Sequence, residues 1–253
     1  MASDTPRWEE LYGDLRHRIE SGELPPGAAV PRELELAKEH QLSRTTVRKA
    51  LARLQADGLI TQGKGRLGRR VREQRPVEWN LHRFERGDRR DDPATGMDDW
   101  AAGMAEQGRT PRQEVKVTIE APPATVSLAL ELDTDALAVR RTRIRYVDGI
   151  PYQLSTSWFP EDLARGTLLM EARDVAVPGG ILRQIGCPQV SVRDEITIRM
   201  PTTAEADQLD IPSGTPVGEH RRTGYGEDGQ PVRHMITVFP GDKHFLVYEL
   251  ELS

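Results

Sequence analysis

Leu42-Ser43-Arg44-Thr45-Thr46-Val47-Arg48-Lys49-Ala50-Leu51-Ala52-Arg53-Leu54-Gln55-Ala56-Asp57-Gly58 reads as one helix with both ends marked. Ser43 offers a side-chain oxygen to a backbone N–H of the first turn, although a direct contact with a ligand is an equal alternative for it. Val47, Ala50, Leu51 and Leu54 recur at helical spacing and form an apolar stripe, and Gly58 ends the helix. Arg44, Thr45, Arg48 and Lys49 crowd the first two turns away from that stripe. All are donors, and they stand where the helix itself carries partial positive charge.

Upstream, Glu33 to His40 fits a short helix with Leu34, Ala37 and Leu36 inward. Before it, Trp8, Leu11, Tyr12, Leu15 and Ile19 place a first helix between Pro6 and Ser21. Leu24-Pro25-Pro26-Gly27 separates the two, because prolines remove donors and fix φ. Downstream, Leu59-Ile60-Thr61-Gln62 reads as a strand and Val71 closes a return strand. Between them Gly63-Lys64-Gly65-Arg66-Leu67-Gly68-Arg69-Arg70 combines glycines with cations, which suits close approach to a minor groove or to phosphates. Two helices joined by a short turn, the second presenting Arg and Thr near its start, are what a major-groove reader requires. The whole is a winged helix-turn-helix.

Charge supports this. The chain has 253 residues and a net charge of −5. Residues 1–75 carry 15 Lys/Arg against 11 Asp/Glu, a net of +4, while the remainder carries 20 against 29. Ser43 to Arg75 alone holds 10 basic residues against 2 acidic ones. An acidic body with one basic end orients a polyanion, although a solvated charged face reads the same way. Cys187 is the sole cysteine, so an intrachain disulfide and a cysteine-rich zinc site are excluded. No apolar run reaches the ~18 residues of a membrane helix, and the amino terminus shows no signal-peptide pattern. The expected compartment is the cytoplasm.

The residues from Gly22 to Val71 resemble the DNA-binding domain of GntR family transcription regulators. The matches are Gly27, Pro31, Glu33, Leu36-Ala37, Ser43-Arg44-Thr45-Thr46-Val47-Arg48, Leu51, Leu54 and Gly58-Leu59-Ile60. The resemblance implies that Arg44, Thr45, Thr46 and Arg48 contact bases and phosphates, beside Ser43 and Lys49, with the wing residues Lys64, Gly65 and Arg66 in the adjacent minor groove. Two departures stand out. Arg32 occupies a position where the family has Ser or Ala, losing a cap and gaining a phosphate contact, and the wing is longer than the family's short Gly-x-Gly turn.

Beyond Arg75 the pattern changes. Residues 76–96 have linker composition, with Trp79, Leu81 and Phe84 as possible anchors, and residues 97–253 form a second domain. Val115, Val117 and Ile119 alternate as in a strand. Asp148-Gly149 and Asp228-Gly229 are hairpin signals, each followed by proline two residues later. They lie in an internal repeat offset by about eighty residues: Pro122-Pro123-Ala124-Thr125 to Leu132 precedes the first and Pro201-Thr202-Thr203-Ala204 to Ile211 the second. Each unit reads as a short helix followed by two strands, giving an α+β domain with a mostly antiparallel sheet.

That arrangement, after Met104-x-x-x-Gly108-x-x-Pro111, resembles the UTRA effector-binding domain of the HutC subfamily, whose fold is that of chorismate lyase. Arg141, Arg143 and Arg145 share one strand face about 6 to 7 Å apart. Either an anion sits near them or they are paired internally, Glu219 being one candidate. The resemblance implies that Arg143 and Arg145 line the effector pocket. Other positions depart from the sugar-phosphate sensors: Asp98-Asp99-Trp100-Ala101 replaces a phosphate-holding segment, Ser155 replaces a Glu and Arg233 an acidic residue. Asp99, Trp100, Arg143, Arg145, Ser155 and Arg233 are thus the candidate effector residues. The expected effector is less anionic than a sugar phosphate, with Trp100 and Trp158 as stacking surfaces.

No metal-ligand spacing appears among the six histidines, and neither a phosphate loop nor a nucleophile elbow is present. No metal or cofactor is expected. The leading expectation is a homodimeric transcription regulator, a repressor that binds a palindromic double-stranded operator and is released by a small molecule. The rival is an enzyme of chorismate-lyase-like fold acting on a small organic acid.

Overall fold

The structure is a computed structural model that describes residues 6–61, 68–72, 76–82, 98–211 and 215–249. The chain divides into two compact units, Met1–Arg75 with Ile211–Thr215, and Pro76–Asp210 with Pro216–Ser253.

In the first unit α1 (Arg7–Glu20), α2 (Glu33–Glu39) and α3 (Arg44–Ala56) enclose one core. Leu11 and Leu15 of α1 and Leu36 of α2 meet Val47, Ala50, Leu51 and Leu54 of α3, with Ile60 and Val71 beneath. Leu34 points outward instead of inward, because it lies about 200° around α2 from the buried Leu36. Tyr12 donates to Asp57 at 2.7 Å, tying α1 to the end of α3. There Gly58 turns the chain at φ +72°. The wing sheet is minimal: Ile60 bridges Val71 and Ala29 bridges Arg70, so the expected strands are single bridges. The proposed wing contacts Lys64, Gly65 and Arg66 lie outside the described residues.

The second unit is built on a six-stranded antiparallel sheet in the order β2-β3-β4-β7-β6-β5. Its strands are β2 (Pro111–Glu120), β3 (Ala138–Val147), β4 (Ile150–Pro160), β5 (Ser191–Arg199), β6 (Val217–Tyr225) and β7 (Pro231–Pro240). Asp148 and Gly149 both take positive φ, 52° and 80°, which is the turn that a two-residue hairpin demands. The internal repeat is larger than the helix and two strands expected from sequence. Each half is a strand, a short helix and a hairpin: β2, α5 (Ala124–Ala129), β3 and β4, then β5, α8 (Thr203–Leu209), β6 and β7. The halves join where β4 pairs with β7.

One face of the sheet is closed by α5, where Val126 and Leu130 pack on Ala138, Trp158 and Ile236. Trp158 is therefore core, not a stacking surface. The other face meets the chain between β4 and β5, which contains α6 (Glu161–Ala164), a 3-10 turn Leu168–Met170 and α7 (Gly180–Gln184). Leu169 and Ala164 pack there on Val139 and Phe159. The stretch read as a linker begins as structure: β1 (Val77–Asn80) pairs in parallel with β8 (His244–Val247), and Trp79 and Leu81 bury against Phe239. Residues 83–97 lie outside the described residues.

Candidate nucleic-acid interface and effector site

Local chemistry orients α3. Ser43 Oγ accepts from the Thr46 N–H at 3.1 Å and lies 2.8 Å from Thr46 Oγ1. Ser43 thus caps the helix, one of the two roles that the sequence left open for it. Burial of Val47, Ala50, Leu51 and Leu54 turns the opposite face outward, and Arg44, Thr45, Arg48 and Lys49 are exposed on it. Their surroundings differ. Among the described residues the Arg44 side chain holds no salt bridge or hydrogen bond. Arg48 Nε meets Glu33 Oε2 at 2.8 Å, and Arg69 joins the same carboxylate at 3.2 Å. Arg48 hydrogen bonding keeps the Glu33 carboxyl below its ordinary range. Lys49 Nζ leans 4.4 Å over the Trp8 ring. Arg32 is exposed at the start of α2, where its own N–H is held by Glu35 at 2.8 Å; arginine has no acceptor to serve as a cap.

In the second unit, paired residues of an antiparallel sheet share a face, so register assembles the other site. Arg143 lies opposite Ser155, Ser155 opposite Thr237 and Thr237 opposite His220. One row away, Arg145 lies opposite Gln153, and Arg141 opposite Ser157. The same face carries Arg222 and Arg233 on the second half. Five guanidiniums on one buried sheet face require partners, and most have them. Arg141 donates to the carbonyls of Leu169, Glu171 and Arg173, so it is paired internally, though not with Glu219. Glu219 is taken by Arg199 and Arg221. Arg222 is held by Asp194 at 2.6 Å. Arg233 donates to Ser157 Oγ at 3.2 Å.

Arg145 donates to Gln153 at 3.1 Å and lies 3.8 Å from Asp98, its guanidinium 5.0 Å from the Trp100 ring. Asp98 caps α4 (Asp99–Glu106) by accepting from the Ala101 N–H at 2.8 Å, and it accepts from Gln113 at the same distance. Burial alone would raise the Asp98 carboxyl, but Arg145, the Ala101 N–H, Gln113 and Arg143 hold it below its ordinary value. Burial pushes Arg141 and Arg145 down to about 10, which leaves both charged at neutral pH. Burial also lowers Arg143, and among the described residues its guanidinium has no hydrogen-bond partner. Asp174 lies in its field, raised by burial and by Asp98.

Of the six candidate effector residues, the structure gathers Trp100, Arg143, Arg145 and Ser155. Arg233 lies on the same face, on β7. Asp99 is exposed at the helix start, and its neighbour Asp98 is the carboxylate that meets the arginines. Trp100 is itself buried among Val77, Met104, Val147 and Tyr152. Sequence reading missed Gln113, Gln153 and Asp174, because only strand register and the chain crossing the face bring them near Arg143 and Arg145.

The profile described as the UTRA domain matches residues 106–244, and that described as bacterial regulatory proteins, gntR family, matches residues 8–67. The chain belongs to the GntR family, with a UTRA domain. It is 27% identical over 251 residues to the HTH-type transcriptional repressor NagR of Bacillus subtilis, covering 98% of this chain and 96% of that one. The HTH-type transcriptional regulator GgaR of Escherichia coli K12 is 23% identical, with 98% and 92% covered. A crystal structure of a GntR-family transcriptional regulator superposes with a TM-score of 0.63 at 24% identity, covering 99% of each chain. PhnF from Mycobacterium smegmatis gives 0.60 at 20% identity, covering 96% of this chain and 99% of that one. The GntR protein is therefore a DNA-binding transcription regulator, and its family and full-length relatives are regulators, not enzymes. Among the described residues no helix is long and apolar enough to cross a membrane.

Proposed function

We propose that this regulator is a repressor that binds a palindromic operator as a homodimer and is released by a small molecule held on the arginine face of its UTRA domain. The observation that carries the reading is the exposed donor face of α3, with Arg44 uncommitted among the described residues and Arg48 and Lys49 beside it. In this reading Thr45 and Arg44 read base edges, and Arg32, Arg48 and Lys49 hold phosphates. Repression is supported by the relative that is named a repressor.

Arg143 supports the effector reading, since a guanidinium with no hydrogen bond among the described residues, on a buried face, invites an anionic group. Arg145 is already balanced by Asp98. Asp98 also brings negative charge beside the two arginines, which disfavours a phosphate dianion and favours a ligand with one acidic group and hydrogen-bond donors. Ser155 Oγ lies 2.9 Å from Thr237 Oγ1, so it lines the site as part of a hydroxyl pair. The effector acts by preferring a dimer arrangement that fits the operator poorly, and the shift cannot exceed its differential affinity for the two states. Genomic fragments selected by the purified protein supply the operator, and neighbouring genes the effector class. Arg143→Ala then abolishes release by that effector with operator affinity unchanged; unaltered release removes Arg143 from the site.

A further inference from the structure

Glu33 stands at the first position of α2, amid the cations of the first unit, and its carboxylate is held from two sides. Oε2 accepts from Arg48 Nε of α3 at 2.8 Å, and Oε1 accepts from Arg69 Nη1 at 3.2 Å. Arg69 belongs to the wing return, residues 68–72, whose backbone lies along the segment before α2. There the Val30 N–H donates to the Arg69 carbonyl at 2.9 Å, and the Val71 N–H to that of Ala28 at 2.8 Å. The carboxylate is the inner partner, its side chain 24% exposed against 66% for Arg48. Arg69 also lines, with Arg32, a cleft of about 470 Å³ between the start of α2 and Gly68. A carboxylate on a face that meets a polyanion weakens the attraction by adding like charge. Its presence there calls for another effect, and the geometry supplies one.

We infer that Glu33 is a positioning residue of the DNA interface: it fixes the Arg48 and Arg69 guanidiniums on one carboxylate, so that α3 and the wing return bear on the DNA backbone as a unit. The inference rests on the operator reading above and adds Arg69 to its phosphate contacts. A free arginine side chain samples many rotamers, and ordering it on binding costs free energy. Glu33 orders two of them before DNA arrives. Among the described residues each uses one N–H on Glu33, which leaves outer donors for phosphate oxygens. The cluster stays positive, since Arg32, Arg48 and Arg69 outnumber Glu33 and Glu35. Phosphate contacts set the register in which Arg44 and Thr45 meet base edges. Loosening Arg48 and Arg69 therefore harms specific binding more than non-specific attraction.

Fluorescence anisotropy of the full chain tests this, on a genomic fragment selected by wild type and on a random-sequence duplex. Glu33→Gln is expected to lower the ratio of the two affinities about tenfold, while random-duplex affinity holds or rises and its salt dependence steepens, because cations are released. Glu33→Asp keeps the charge at the helix start but is one methylene shorter. It is expected to lower the ratio several-fold, with the circular-dichroism melt unchanged. In an Arg48→Met/Arg69→Met chain, Glu33→Gln changes the ratio no further, since the groups it acts through are gone. A ratio that survives both Glu33 variants, or an equal effect of Glu33→Gln with and without the two arginines, overturns the assignment and leaves Glu33 a nearby charge. A wild type that prefers no selected fragment to random duplex overturns the operator reading, and this inference with it.

Discussion

Arg44 and Arg48 lie one helical turn apart on the same exposed face, and their neighbours give them different work. Arg48 shares Glu33 with Arg69, so part of its charge is already neutralised before DNA arrives. Arg44 has no such partner among the described residues. Arg44→Ala is expected to cost about 1 to 3 kcal/mol of operator affinity, and Arg48→Ala less, by fluorescence anisotropy with folding intact. Equal losses would show that the Glu33 contact breaks freely on binding. His244 behaves differently because it is buried. Its Nδ1 lies 3.1 Å from the Pro240 carbonyl and its Nε2 3.3 Å from Gln153, a pattern that suits the neutral ring. Burial pushes its pKa down to about 3, against an ordinary value near 6.5. Below about pH 6.5 the unfolded chain takes a proton that the native state refuses, so stability is complete above that pH and falls as pH drops towards 3. His244 contributes a slope of up to about 1.4 kcal/mol per pH unit there, and burial of His234 acts in the same direction. Urea midpoints at pH 7 and 5 check it: His244→Phe is expected to shrink the difference.

At the level of elements, the sheet is fixed by small residues placed where neighbours need room. A Cβ on Gly218 of β6 would lie 2.1 Å from the Phe239 ring, which packs against Trp79 and Leu81 of the β1 segment. Gly218→Ala is therefore expected to destabilise the second unit by about 1 to 3 kcal/mol, read as a lowered thermal midpoint. On Gly224 the same Cβ would meet the Gln189 side chain at 1.9 Å. The repeated Arg-Arg-Thr at 140–142 and 221–223 makes Gly224 the counterpart of Arg143. The second half thus fills with Gln189 the space at which the first half presents a guanidinium. The α3 stripe and both Asp-Gly hairpins were legible in sequence, because each is decided by neighbours along the chain. Strand β5 was not, because Asp194 interrupts the apolar row of Val192, Ile196 and Ile198 and leaves too short an alternation to read.

For the molecule as a whole, charge is divided between the units, basic before residue 76 and acidic after it. Binding through phosphates should then depend strongly on salt. With about 6 to 10 phosphate contacts, operator affinity is expected to fall about 10³ to 10⁵ fold between roughly 50 and 200 mM salt. A flat response in a titration would contradict phosphate anchoring by the α3 face.

The winged helix-turn-helix, its donor face and the presence of a repeated α+β domain were determined by sequence alone, because helical spacing, capping and turn chemistry act within a few residues. Only the tertiary structure decided that Asp98 and not Asp99 meets Arg145, that Arg141 is spent on three carbonyls, and that Arg143 has no hydrogen-bond partner among the described residues. Those outcomes depend on strand register and on a chain segment crossing the sheet, and charges thirty or more residues apart find each other only once the fold has brought them together.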